Sequence, residues 1–297
     1  MAKRKFGDRP DGRRLRDIPA MMQCCADLKP RRGDNIVYIN QKMDVTELAD
    51  YLAKKKEEGE NITFFHAFLT AFGKVIYNRP KLNRFVSNRH FYEHNDVTFA
   101  YVAKVGFSDK SSELMAVTKV DPEDNVFTIR DQVLNQVDAF RKKKEAEVDK
   151  DKKGANSALE ILGKLPNIIR VPIFGLIKLM GDKGILPASL RKDNIYFSTM
   201  IVSNLGAIHC GSIMHNLAQF GSSSGLATMG EVKSEMVTNP DGTQSLRKLC
   251  EFGINLDERI GDGYYFAKSV QMIQYILSHP EMLEERADTV IDMGEIR

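Results

Sequence analysis

Asn255 to Val270 reads NLDERIGDGYYFAKSV. An apolar, strand-like run from Ser245 to Leu256 stops at Asp257-Glu258-Arg259; an Asp-Gly follows, and Gly263 to Ser278 then carries Phe266, Val270, Ile273 and Leu277 on one helical stripe. Charges gathered between a strand and a helix make either a solvated turn or a site. The remainder of the chain has to decide between them.

Working outward, the strand before the triplet is half of a hairpin. Leu226 to Val237 and Ser245 to Leu256 flank Asn239-Pro-Asp-Gly242, where Asp-Gly supplies the positive φ of a tight turn. In the second of these strands Leu246, Cys250, Phe252, Ile254 and Leu256 share a face, interrupted by Lys248. Further strands are expected over Asn35 to Val45, Glu113 to Val120 and Asn194 to Ser203, and where Val97, Phe99, Tyr101 and Ala103 alternate with Thr98, Ala100, Val102 and Lys104; Phe91 to Asp96 reads as the turn before. Thr46 is expected to N-cap a helix marked by Leu48, Tyr51 and Leu52. NITFFHAFLTAFGKVIY, Asn61 to Tyr77, is apolar around most of its circumference and reads as the buried spine, with His66 in the core. With another helix over Thr128 to Glu147, the fold class is α+β.

The 297 residues, 42% of them apolar, suffice for a sizeable core. A formal charge of +3 is too small to imply a nucleic-acid partner. The basic excess is local: Met1 to Arg16 holds seven Lys or Arg against two Asp, and residues 1–30 are expected as a loose basic arm. No run approaches the roughly 20 apolar residues of a membrane span, and none resembles a signal peptide. A soluble cytoplasmic protein with neither nucleic acid nor membrane as partner is therefore expected. Cys24, Cys25, Cys210 and Cys250 show no ligand spacing, so no metal is expected, and they read as buried thiols, with a reactive Cys210 beside His209 as the sharper alternative. An insertion occupies about 141–193: the charged run Arg141 to Lys153, then an apolar stretch from Ala158 to Leu190 broken by Pro166 and Pro172 and carrying Arg170 and Lys178. Three uses for it are weighed, in this order: packing on its own domain or a neighbouring subunit, a surface that grips a partner or a membrane interface, and a lid over an apolar substrate.

Two segments resemble a known family. IVSNLG, Ile201 to Gly206, is similar to the Ser-Asn-Leu-Gly strand end of the chloramphenicol acetyltransferase superfamily, specifically of the dihydrolipoyl acyltransferase catalytic domain of 2-oxo acid dehydrogenase complexes. DERIGDG, Asp257 to Gly263, resembles that domain's Asp-His-Arg-x-x-Asp-Gly loop. The likeness extends through MDVTELADYL, FFHAFLTAFGKVIYNRPKLNRF and SHPEMLEE, most of the chain outside the arm and the insertion. It implies a two-layer α/β sandwich with a mixed sheet over residues 31–297, forming homotrimers that can build larger cages. It also implies an active site between subunits, where coenzyme A or an acyl-coenzyme A thioester meets the acceptor and a His of one chain faces a Ser of its neighbour.

By this resemblance Ser203 holds the hydroxyl position that would steady an oxyanion, and Arg259, Asp262 and Gly263 hold the flanking ones. The base position is Glu258. A free glutamate, with a pKa of about 4.3, is a poorer base than imidazole and is charged at neutral pH, unless burial raises it. Arg259 is expected to brace the loop, and Asp262 to cap the following helix or to pair with Arg14 or Arg16. His209 and His215, after Ser203, are the possible substitutes for the missing imidazole. GSSSG, Gly221 to Gly225, stands where the family has an Asn-Pro-Pro turn, and reads as a flexible loop or an anion-binding one. There is no lipoyl domain and no tethered subunit-binding module, so no lipoyl group is expected on this chain. Two functions follow: a coenzyme A-dependent acyltransferase with Glu258 as an atypical base, or a catalytically inactive oligomeric scaffold or ligand-binding protein.

Overall fold

The computed structural model describes residues 5–104, 113–148, 163–192 and 194–294. Residues 149–153 of the charged run, 158–162 of the apolar stretch and Met1 to Arg4 of the arm lie outside them. The main sheet has six strands in the order β2, β9, β8, β7, β5, β6, where β2 is Ile36–Asp44, β5 Val97–Lys104, β6 Glu113–Val120, β7 Met200–Asn204, β8 Gly225–Thr238 and β9 Gln244–Asp257. The central strand β7 runs parallel to both β5 and β8 and the other pairs are antiparallel, so the sheet is mixed. A smaller antiparallel sheet joins β1 (Gly12–Arg14), β4 (His90–His94) and β3 (Arg84–Ser87).

The helices are α1 (Ala20–Leu28), α2 (Thr46–Glu57), α3 (Phe64–Asn78), α4 (Val126–Val148), α5 (Asn167–Lys183), the single turn α6 (Ala188–Arg191) and α7 (Gly263–Ser278). Of these α2, α3, α4 and α7 pack on one face of the large sheet, whereas α1 lies against the small sheet with Ala26 beside Val86 and Phe91. α3 is buried along nearly its whole length, as its all-round apolar pattern demands, and Phe68 and Phe72 meet Phe252 of β9 edge-on at 4.9 and 6.2 Å. Even Lys74 is enclosed; its ammonium donates to the carbonyls of Glu285 and Arg286. The opposite sheet face is uncovered toward β5, β6 and β2, leaving Val102, Met115 and Tyr38 exposed.

Several expectations need correction. Phe91 to Asp96 is not a turn: β4 runs through His94, because Phe91 and Tyr92 pair with Val86 and Phe85 and fill a small core. Thr46 is the first helical residue, not the N-cap; the Asp44 carboxylate accepts its N–H and hydroxyl, while the Thr46 oxygen accepts from Lys248 N–H. Leu246 is exposed because the β8–β9 hairpin outruns the core. The arm is not loose over its described residues: β1 pairs with β4, and Arg9 is buried, ion-paired to Asp11. Of the cysteines, only Cys250 is buried; Cys24, Cys25 and Cys210 are exposed.

Two imidazoles are sealed neutral in this fold. His66 completes a capping box, its Nδ1 accepting the Thr63 N–H, and burial pushes its pKa down to about 4. His94 donates from Nε2 to the Ser222 carbonyl at 3.2 Å and is likewise pushed down to about 4 by burial. Their ordinary value is 6.5, so as pH falls the unfolded chain binds protons that the folded chain refuses. The stability they leave intact above pH 6.5 is therefore lost progressively toward pH 4, by up to about 3 kcal/mol for each. Urea unfolding at a series of pH values should show the midpoint falling across this window, with a shallower fall for His94→Asn. A midpoint independent of pH would contradict the assignment.

Candidate active site

The Asp257-Glu258-Arg259 triplet is both a turn and an anchor. Asp257 ends β9 with its carboxylate fully buried, and Arg259 grips it two-pronged, Nε to Oδ1 at 2.8 Å and Nη2 to Oδ2 at 2.6 Å. The third guanidinium nitrogen donates to the carbonyls of Lys29 and Pro30, tying the chain after α1 to this loop. Arg32, also buried, brings its Nε to 3.7 Å from the same carboxylate. Its other nitrogens donate to the carbonyls of Ala218 and Gly221. Burial lowers the Arg32 pKa to about 10, so it stays cationic at neutral pH. Arg259 thus braces the loop, as its type and position suggested. Arg32 escaped the sequence reading because the Lys-Pro-Arg-Arg run from Lys29 to Arg32 looks like any solvated basic patch.

The GSSSG segment is part of this scaffold, with the Ser222 and Ser223 N–H groups already committed to a protein acceptor. Ser222, Ser223 and Ser224 are buried, and the first two donate their N–H groups to the Tyr196 carbonyl, while the Ser224 carbonyl accepts from Asp257 N–H. Gly221 has φ of +87°, and a β-carbon there would meet the Tyr196 oxygen at 2.0 Å, so the turn demands glycine. Gly253 serves a similar end: a side chain on it would strike the Ile213 carbonyl at 2.6 Å. Its absence lets the 205–219 loop lie flat across β8 and β9, held by Thr228 Oγ1 to Ile213 and by Asn255 to His215 N–H.

From this node Glu258 points outward. Its side chain is 41% exposed and its carboxylate meets the Lys29 ammonium at 2.8 Å. The hydrogen bond and charge of Glu258 push the Lys29 pKa above its ordinary value. Asp262 N-caps α7, accepting the Tyr265 N–H at 2.8 Å, and Arg14 and Arg16 bond elsewhere, to His90 and to the Phe6 carbonyl. Gly263, the first residue of α7, borders an apolar groove of about 690 Å³ between β2 and α7.

Ser203 is not brought to Glu258 within one chain. It sits opposite Thr228, and Thr228 opposite Gly253, four residues before Asp257 on β9. Two strand spacings and four residues of rise separate the Ser203 and Asp257 α-carbons by about 16 Å. His209 lies at the Ser203 end of the sheet, exposed, with Nδ1 at 2.6 Å from Glu231, whose carboxyl that bond holds below its ordinary value. His215 lies toward the other end, over Asn255, with Nδ1 at 3.0 Å from the Asn216 carbonyl. Neither is joined to Ser203 or Glu258 by a hydrogen bond among the described residues. Among those residues no group of acidic, His or Cys side chains is arranged to hold a metal ion, and no helix is long and apolar enough to cross a membrane.

No family model matches the sequence, and no curated protein does. Solved structures do. A probable dihydrolipoamide acetyltransferase from Listeria monocytogenes 4b F2365 superposes with a TM-score of 0.53 at 16% identity, covering 89% of this chain and 95% of that one. The cubic core of the pyruvate dehydrogenase multienzyme complex gives 0.51 at 14%, covering 91% and 94%. A chloramphenicol acetyltransferase gives 0.50 at 10%, covering 90% and 99%. The fold is chloramphenicol acetyltransferase-like. At these identities the likeness establishes the acyltransferase-like architecture, and the chemistry has to be argued from the residues.

The anchor yields a prediction. Asp257→Asn would leave the buried Arg259 without its paired carboxylate and the buried Arg32 without one of its two acidic neighbours, and should lower unfolding free energy by about 3–5 kcal/mol. Glu258→Gln, one residue along but exposed, should leave stability essentially unchanged. Denaturant titration of both variants checks the contrast, and equal stability of the two would refute the anchor.

Proposed function

We propose that this protein is a coenzyme A-dependent acyltransferase whose active site forms between protomers of a homotrimer. Glu258 of one protomer is the base and Ser203 of the next is the oxyanion donor. The observation that carries this reading is the spacing of the two positions on a chain with an acyltransferase-like architecture: about 16 Å separates the α-carbons of Ser203 and of Asp257, the residue before Glu258, and in this reading a second copy supplies the hydroxyl that meets the carboxylate. The exposed Tyr38, Val102 and Met115 on the uncovered sheet face, and the apolar groove along the edge strand β2, supply surface for such contacts. Trimers of this kind can assemble further into a cage, and the acyltransferase unit expected over residues 31–297 takes in the chain before it through β1 and Lys29.

In the proposed reaction the acceptor thiol or hydroxyl attacks the thioester carbonyl as Glu258 takes its proton. The tetrahedral oxyanion is held by Ser203 Oγ–H, and collapse expels the coenzyme A thiolate, which regains a proton from the Glu258 carboxylic acid. Arg259 and Asp257 position the base without touching substrate. Asp262 and Gly263 open the helix behind it.

A specific observation favours a second reading, a non-catalytic ligand-binding oligomer: the Glu258 carboxylate is already engaged by Lys29. Transfer from acetyl-coenzyme A to dihydrolipoamide separates the two. Glu258→Gln should reduce turnover by about 100-fold or more. Co-assembled Ser203→Ala and Glu258→Gln protomers, each nearly inactive alone, should recover about a quarter of wild-type activity, because random pairing reunites intact residues at that fraction of interfaces. Wild-type protein that binds acetyl-coenzyme A without turnover would favour the second reading. Turnover unchanged in Glu258→Gln would discard Glu258 as the base.

A further inference from the structure

The insertion presents a surface that neither reading uses. α5 is apolar around most of its circumference, yet only one side is packed. On that side Gly181 lets the helix close onto Phe220, where a β-carbon would come within 3.0 Å of the ring. The helix ends at Gly184 in the left-handed conformation, with Ile185 N–H bonded to the Met180 carbonyl, and both Arg9 and Ser87 donate to the Asp182 carbonyl. Its C-terminal end is thereby fixed to the body of the protein.

The other side faces solvent. Ile168, Pro172, Leu176 and Leu179 follow one another at helical spacing, forming a single stripe, and Ile168, Leu176 and Leu179 are 84%, 58% and 54% exposed. Val171 borders the stripe and is 63% exposed, and Ile185 and Leu190, just past the helix, are exposed as well. A rigidly held apolar stripe of this length calls for an occupant. Charge chooses it. Residues 163–193 contain six Lys or Arg (Lys164, Arg170, Lys178, Lys183, Arg191, Lys192) against Asp182 and Asp193, a local excess of four positive charges on a chain whose total is +3. Burial raises the pKa of the Asp182 carboxyl, and Lys178, Arg9 and Arg32 lie around it, so the exposed part of the segment is cationic.

We infer that α5 is an interfacial helix that docks this protein on an anionic lipid bilayer, its stripe entering the boundary between headgroups and acyl chains while its lysines meet the lipid phosphates. At about 25 Å the helix is too short to span a bilayer but suited to lie in its surface. An anionic bilayer offers these lysines phosphates along the whole length of the helix. An interfacial α5 departs from the expectations from sequence against membrane contact and for an insertion packed on its own domain or a neighbouring subunit.

Flotation of the full chain with vesicles tests this. It should rise with equimolar phosphatidylglycerol and phosphatidylcholine, not with phosphatidylcholine alone, and high salt should weaken binding. Leu176→Glu combined with Leu179→Glu should reduce the bound fraction at least about tenfold, with the unfolding midpoint unchanged because both side chains are exposed. Lys178→Glu combined with Lys183→Glu should weaken binding to anionic vesicles too. Failure to float with anionic vesicles, or equal flotation of the leucine variant, would overturn the inference. So would a fall in oligomer mass by sedimentation for that variant, which would assign the stripe to a second copy of this chain.

Discussion

A single buried carboxylate organises the site end of this molecule. Asp257 is wholly enclosed and shared by two guanidinium groups, and those guanidiniums in turn bind carbonyls at Lys29, Pro30, Ala218 and Gly221. Three chain segments remote in sequence are thereby fixed around the last residue of β9. A buried ion pair is weak evidence for net stability, because desolvation offsets much of the attraction, but it is highly sensitive to the loss of one partner. Its structural effect is to hold Glu258 at a defined point on the surface, displayed by a loop that cannot drift. That rigidity is what either a catalytic base or an interface residue requires.

The sheet explains why such a device stands where it does. β7, the short central strand, carries Ser203, and β9 carries Asp257; the parallel step from β7 to β8 and the antiparallel step to β9 put the two at opposite ends. The 205–219 loop runs between these ends over the sheet face left bare by the helices, and its close approach depends on Gly253 and on the Thr228 hydroxyl. A site using both ends cannot be intramolecular. On the proposed reading catalysis depends on association, and loss of the oligomer would remove activity without unfolding the chain.

How much of this was legible in the sequence depended on whether the governing contacts were local. The hairpin around Asp241-Gly242, the buried spine α3 and the stripe of α7 follow from periodicity and turn chemistry, and the structure has them within a few residues of their expected bounds. The Asp262 cap was readable because capping is a contact of three residues. Arg32 was not, since nothing near it in sequence marks a guanidinium that will be buried against a carboxylate 225 positions away. Lys29 beside Glu258 was hidden for the same reason. GSSSG misled because its composition suggests mobility, while its backbone is committed to Tyr196 and Asp257. Nor could the pattern of α5 reveal that a helix apolar on all sides would be packed on one side only.

The central claim, that Glu258 of one protomer faces Ser203 of another, is tested most directly by covalent trapping. In a background with the exposed Cys24, Cys25 and Cys210 changed to serine, cysteines would be placed at positions 203 and 258 and treated with a short bismaleimide. The account predicts crosslinked species of two and three chains on a denaturing gel when every protomer carries both cysteines, and of two chains only when the two cysteines are on different protomers of a mixed oligomer. Crosslinks confined within single chains, or none under conditions where both thiols are accessible, would contradict it.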